Sequence, residues 1–156
     1  MGKPKFEWNE IPLTKDIDPV DINFSIRDLT LKKSFLVNIG NPHIIFFDDE
    51  IEKYDVESFG SLIENDSLFP EKINVSFAKL KGDNHIVLNV WERGAGKTNA
   101  CGTAACATAV AGVEMGLIKN KVTVTLPGGD LEIYYKSSDN IIMTGPTEIN
   151  LSLIHI

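Results

Sequence analysis

Apolar and polar residues alternate along most of this chain with the period of two that marks a half-buried strand. The pattern predicts strands over 21–26, 35–39, 43–47, 73–79, 85–91, 121–126, 131–135 and 141–144. Pro127-Gly128-Gly129-Asp130 separates two of them with turn residues, which predicts a hairpin. Between 55 and 64 the period changes. Val56, Phe59, Leu62 and Ile63 recur at helical spacing behind Asp55, a residue suited to capping a helix start. Met143-Thr144-Gly145-Pro146 closes the last strand, and no internal repeat stands out.

One stretch follows neither pattern. Over 102–116, Ala104, Ala105, Ala107, Ala109 and Ala111 join Cys106, Val110, Val113 and Met115 and leave almost no polar face. A helix that is apolar all round must be buried, and one built from alanine is thin enough for strands to wrap closely. The expected fold class is therefore α+β: a largely antiparallel, barrel-like sheet around one central buried helix. Such a helix meets solvent only at its ends, which puts residue 101 at the mouth of the fold.

Composition narrows the setting. The 156 residues suit one domain or one lobe, and 43% apolar with 24% charged residues describes a globular chain. A net charge of −7 without a Lys/Arg cluster argues against a nucleic-acid surface. No apolar run reaches membrane-spanning length, and the first residues lack the apolar core of a signal peptide. Two cysteines five residues apart form no disulfide framework, so a reduced, cytoplasmic setting is expected. The tail 151–156, Leu-Ser-Leu-Ile-His-Ile, reads either as a native final strand or as the translation of a transposon-end sequencing adaptor.

The candidate chemistry centres on Cys101. A Gly-rich, charged loop, Glu92-Arg93-Gly94-Ala95-Gly96-Lys97-Thr98-Asn99-Ala100, delivers it to the start of the alanine helix, followed by Gly102 and Thr103. First-turn amides without intrahelical acceptors bind anions, and they are expected to draw the thiol pKa from about 8.5 toward neutrality. Cys106, inside the helix, reads as packing. Glu92-Arg93 is either a solvated pair or a recognition pair, Arg93 for a carboxylate and Glu92 for an ammonium. Asn41-Pro42-His43 and Asn74 open two strands and offer polar side chains there. No residues show metal-ligand spacing, and Gly94-x-Gly96 lacks the third glycine of a dinucleotide fingerprint.

Six blocks together resemble the diaminopimelate epimerase family. They are Gly40-Asn41-Pro42-His43, Phe69-Pro70 through Asn74, Glu92-Arg93-Gly94-Ala95-Gly96, Ala100-Cys101-Gly102-Thr103-Ala104-Ala105-Cys106, Leu126-Pro127-Gly128-Gly129 and Met143-Thr144-Gly145-Pro146. The resemblance implies an epimerase acting on LL- and meso-diaminopimelate in lysine biosynthesis, with no metal or pyridoxal cofactor. It implies two lobes, each a sheet around a central helix and each supplying one cysteine to a cleft between them. Residues 1–150 then form the C-terminal lobe, and the N-terminal lobe with its second cysteine is absent. By the same resemblance Cys101 is one of two acid/base residues, and His43 and Glu92 adjust the thiols. Asn41, Asn74, Glu92, Arg93, Gly102 and Thr103 bind substrate.

Three alternatives remain at this point. A proline racemase-type enzyme would share the fold. A cysteine hydrolase would need a histidine such as His43 oriented on the thiol. An isolated lobe would act as an inactive, anion-binding fragment unless a homodimer of lobes restored a second thiol.

Overall fold

The computed structural model describes residues 1–20 and 22–147; the first residue of the 21–26 strand and the 151–156 tail lie outside them. Each predicted strand forms, with ends shifted by a few residues at most. β1 (Phe24–Ile26) and β2 (Leu29–Leu31) make a separate hairpin. Arg27 and Asp28 connect them with φ of +48° and +66°, the two positive values that a tight right-twisting turn requires. The main sheet holds β3 (Ser34–Asn38), β4 (Pro42–Phe47), β5 (Asn74–Leu80), β6 (His85–Glu92), β7 (Gly96–Thr98), β8 (Lys121–Leu126), β9 (Gly129–Tyr134) and β10 (Ile142–Thr144).

Its order is β10-β9-β8-β6-β5-β4-β3, with β7 paired to β6. β4–β5 and β6–β8 are parallel and the other pairings are antiparallel, so the sheet is mixed with an antiparallel majority. Two helices pack on it: α1 (Val56–Glu64), preceded by a 3-10 turn over Ile51–Lys53, and α2 (Gly102–Glu114). In α1, Leu62 faces solvent and Gly60 takes its place on the buried stripe beside Val56, Phe59 and Ile63.

α2 is buried from Ala104 through Gly112, as its composition demands. Thr108, its one hydroxyl within that span, returns its hydrogen to the Ala104 carbonyl at 2.8 Å and leaves no polar atom unpaired there. Strand residues Phe35, Val37, Ile45, Phe47, Leu88 and Val90 close over the helix. The first five residues stitch the two sheet edges together. Lys5 exchanges both backbone hydrogen bonds with Asn38 on β3, at 2.8 and 2.9 Å, while Gly2 accepts at 2.9 Å from Ile141 beside β10. Phe6 then packs edge-on against Phe35.

The opposite sheet face carries a second core that alternation alone does not reveal. Leu36, Ile44, Phe46, Val75 and Phe77 pack there against α1, Ile11, Leu13 and the β1–β2 hairpin. Phe77 stacks between Phe46 and Tyr54, with centroids 5.9 and 5.0 Å away. All six residues of β4 are therefore buried, against an alternating expectation of one buried face.

Candidate active site

Cys101 caps α2 in extended backbone, φ −148° and ψ 103°, at the end of the loop that follows β7. The hairpin turn between β8 and β9 presses on this loop: the Gly128 amide donates to the Asn99 carbonyl at 2.7 Å. A Cβ on Gly128 would lie 2.8 Å from that carbonyl, so only glycine permits the approach. The thiol is nearly buried, at 7% exposure. It lines an open depression of about 280 Å³ together with Ala100, Gly102, Leu131, Met143 and Pro146. The Met143 sulfur overhangs Gly102, 3.1 Å from where a Cβ would stand.

A directional chain of polar groups runs back from the thiol. Cys101 Sγ lies 3.4 Å from Thr103 Oγ1. Asn41 Nδ2 donates to the same hydroxyl at 3.4 Å, which leaves the hydroxyl able to accept from the thiol or donate to the thiolate. Asn41 Oδ1 lies 2.9 Å from His43 Nε2, which makes that nitrogen the donor. His43 is fully buried, and burial together with the nearby Arg93 guanidinium lowers its pKa to about 3. It is a neutral imidazole whose Nδ1 has no partner. Its hydrogen bond goes to Asn41 and not to the thiol, an arrangement unlike the cysteine–histidine pair of a hydrolase.

The expectation of a thiol drawn toward neutrality is corrected. Burial pushes the Cys101 pKa above its ordinary value, opposed by bonds from Thr103 and the Ala104 amide and reinforced by the Glu92 carboxylate. The helix start supplies the stabilising amide as anticipated, yet desolvation and an adjacent anion outweigh it. Cys106, wholly enclosed, is pushed up to about 12 by burial and serves as packing.

The recognition pair sits where β6 ends. Glu92 is half-buried and faces the thiol, while Arg93 is exposed and donates from Nη1 to the Glu71 carbonyl at 3.1 Å. Asn74 commits its side chain to backbone: Nδ2 to the Pro42 carbonyl at 2.8 Å, and Oδ1 from the Arg93 amide at 2.9 Å. It ties β4 to the Arg93 loop. Gly102 and Thr103 occupy the first turn of α2, half-buried beside Cys101. All eight anticipated residues thus fall around one end of α2 and the neighbouring strand ends.

Sequence reasoning passed over Glu64, a carboxylate at 4% exposure whose oxygens accept from Trp91 Nε1 at 2.7 Å and from the Gly94 amide at 3.0 Å. The available signal was a charged residue on the apolar stripe of α1. A larger depression of about 450 Å³, near Thr14, Phe24 and Asp66, shares no residue with the Cys101 depression. Among the described residues no helix is long and apolar enough to cross a membrane.

The curled sheet around a buried helix is a fold that this chain shares with a solved structure. The crystal structure of a probable proline racemase from Agrobacterium radiobacter aligns over 80% of this chain and 45% of its own, with a TM-score of 0.51 and 15% identity. A family model of diaminopimelate epimerase matches residues 35–150, and the chain belongs to that family. The diaminopimelate epimerase of Erythrobacter litoralis is 49% identical over 146 residues, 94% of this chain and 54% of the relative. That of Pelagibacter ubique is 46% identical over 160 residues, 98% of this chain and 58% of the relative. The chain spans about half the length of the curated relatives it matches.

Proposed function

We propose that residues 1–150 form the Cys101-bearing lobe of a cytoplasmic diaminopimelate epimerase, which inverts the α-carbon relating LL- and meso-2,6-diaminopimelate. The observation that carries this reading is the thiol at the first turn of a buried helix, beside amides free to receive a carboxylate. One base returning its own proton would mostly regenerate the starting isomer, so inversion needs a second thiol on the opposite face. In this reading the second thiol belongs to an N-terminal lobe. A pairing of two copies of this chain is the other source, and a concentration-dependent rate would reveal it.

The residues divide the work as follows. Burial favours protonated Cys101, so it begins as the proton donor while the opposite thiolate removes the α-hydrogen. As the proton leaves, negative charge spreads into the substrate carboxylate. The Gly102 and Thr103 amides stabilise that charge with dipoles already in position. Once Cys101 has given up its proton, Thr103 and the Ala104 amide hold the thiolate. Glu92 opposes that state and keeps it basic enough to reclaim a proton on the next turnover. Asn41, held by neutral His43, anchors the Thr103 hydroxyl, Asn74 sets the Arg93 loop, and Glu92 and Arg93 meet substrate charges.

The test joins this chain to the N-terminal half of the Erythrobacter litoralis relative and follows diaminopimelate in deuterated water. The chimera should exchange the α-hydrogen and interconvert LL and meso forms, Cys101→Ser should abolish interconversion, and the chain alone should do neither. Equal turnover by the chain alone at all concentrations, or a turnover indifferent to Cys101, would overturn the proposal.

A further inference from the structure

We infer that Glu64 is a positioning residue for the Glu92-Arg93 pair, and that α1 acts as a latch holding that pair against the Cys101 end of the fold. The inference rests on the epimerase reading only for the substrate the pair would meet. The latch begins at Gly60. A Cβ there would lie 2.4 Å from Trp91 Cγ, so the indole lies directly on the helix backbone. The far edge of the ring, Cη2 and Cζ3, approaches Gly96 on β7, 3.6 Å from where its Cβ would stand. Trp91 thus touches two glycines along its length, Gly60 on α1 and Gly96 on the strand that follows the loop.

Glu64 follows Gly60 by four residues and so shares its helix face. Its two oxygens separate the task. Oε2 accepts the Trp91 indole hydrogen at 2.7 Å, and Oε1 accepts the Gly94 amide at 3.0 Å. Trp91 and Gly94 bracket Glu92 and Arg93, so one carboxylate fixes both sides of the pair. Among the described residues, Lys72 Nζ, 3.9 Å from Oε1, is the one cation in ion-pair range.

The placement opposes local helix electrostatics. Glu64 is the last residue of α1, and a helix C-terminus disfavours an anion. Core packing alone would be served by an apolar residue at this position on the buried stripe. A buried carboxylate holding two N–H donors of one loop is what directional anchoring requires. The consequence reaches the thiol, because Glu92 is one of the groups that hold the Cys101 pKa up.

The experiment measures the pH profile of Cys101 alkylation by iodoacetamide in the 1–156 chain, with each modification site identified by mass spectrometry. It compares wild type with Glu64→Gln, Glu64→Asp and Trp91→Phe. Cys106 is fully buried and stays silent in the folded chain. The other groups around Cys101, namely Thr103, the Ala104 amide and Glu92, are intact in every variant. Freeing the loop should move the Glu64→Gln midpoint down by about half a pH unit or more, with a smaller shift of the same sign in Trp91→Phe. Glu64→Asp should recover part of the effect. Unchanged midpoints in folded Glu64→Gln and Trp91→Phe would overturn the latch, and if Glu64→Gln does not fold, Trp91→Phe alone decides. No substrate enters this measurement, so its outcome is separate from that of the epimerase assay.

Discussion

The Asn41 side-chain amide donates to the Thr103 hydroxyl at 3.4 Å, so the hydroxyl keeps its own hydrogen and a second lone pair for another partner. Cys101 sulfur lies 3.4 Å from the same hydroxyl, which can accept from the thiol and donate to the thiolate. A hydrogen bond to an ionised partner is worth about 1.5–3 kcal/mol.

Thr103→Val should therefore raise the Cys101 pKa further and slow its alkylation about tenfold at pH 8, since each pKa unit corresponds to about 1.4 kcal/mol. Mass-spectrometric alkylation rates check this. An unchanged rate would mean that the hydroxyl hydrogen points away from sulfur.

His43 makes the fold sensitive to acid. Its pKa falls from 6.5 to about 3 on folding, chiefly through burial and then through Arg93. The unfolded chain binds its proton first, so the stabilisation is complete above pH 6.5 and is lost as pH falls from there toward 3. The slope approaches about 1.4 kcal/mol per pH unit. Burial pushes Asp48 up, but bonds from Lys53, Tyr54 and the Glu50 amide outweigh it and hold the pKa at about 2, below its ordinary 3.8. Its contribution is therefore lost only at lower pH. Urea unfolding at pH 7 and 5 should give a markedly smaller difference for His43→Gln than for wild type.

Gly60→Ala should destabilise the chain by about 1–3 kcal/mol through overpacking, in spite of the better helix propensity of alanine. Trp91 ring and Cβ atoms lie 2.4–2.8 Å from the added carbon, and the indole is tethered by its bond to Glu64. Gly112→Ala offers a control on the other helix. There the nearest atoms are the outer carbons of the Ile118 side chain at 2.8 Å, which can turn aside. Thermal unfolding should lower the midpoint by several degrees more for Gly60→Ala than for Gly112→Ala.

Gly128→Ala should loosen the Cys101 loop without touching α2. The new methyl meets the Asn99 carbonyl at 2.8 Å and works against the 2.7 Å bond between the two residues. Faster exchange of the Gly102 and Thr103 amides, measured by hydrogen–deuterium exchange, is the expected result.

Alternation and composition carried the main sheet and the buried alanine helix, because both write their burial into consecutive residues. They did not carry the second core. Ile44, Phe46 and Phe77 are covered by Ile11, Leu13 and α1, which come from other parts of the chain. β2 spans three residues and β7 is Gly-Lys-Thr, both too short for a period to register. Around Cys101 the residue types and their convergence were legible, whereas the direction of the thiol shift was not. That direction depends on how deeply sulfur is enclosed and on Glu92, which the local helix-start argument omits. Glu64 was legible in principle, as a charge on the apolar stripe of α1, but its partners Trp91 and Gly94 lie on a distant strand end.

The stitch made by the first five residues bears on how the protein forms. Gly2 pairs with Ile141, far along the chain, and Lys5 pairs with Asn38. A ribosome adds about 5–20 residues each second, so the Gly2–Lys5 segment waits on the order of ten seconds for its second partner. Until then β3 offers one attachment point and β10 does not exist, leaving the apolar lining of α2 open to water. This closure waits for Ile141 to be made, and contacts of such long sequence separation predict slow folding. A chain halted before Ile141 should bind a hydrophobic dye strongly, and one extended past Thr144 should release it.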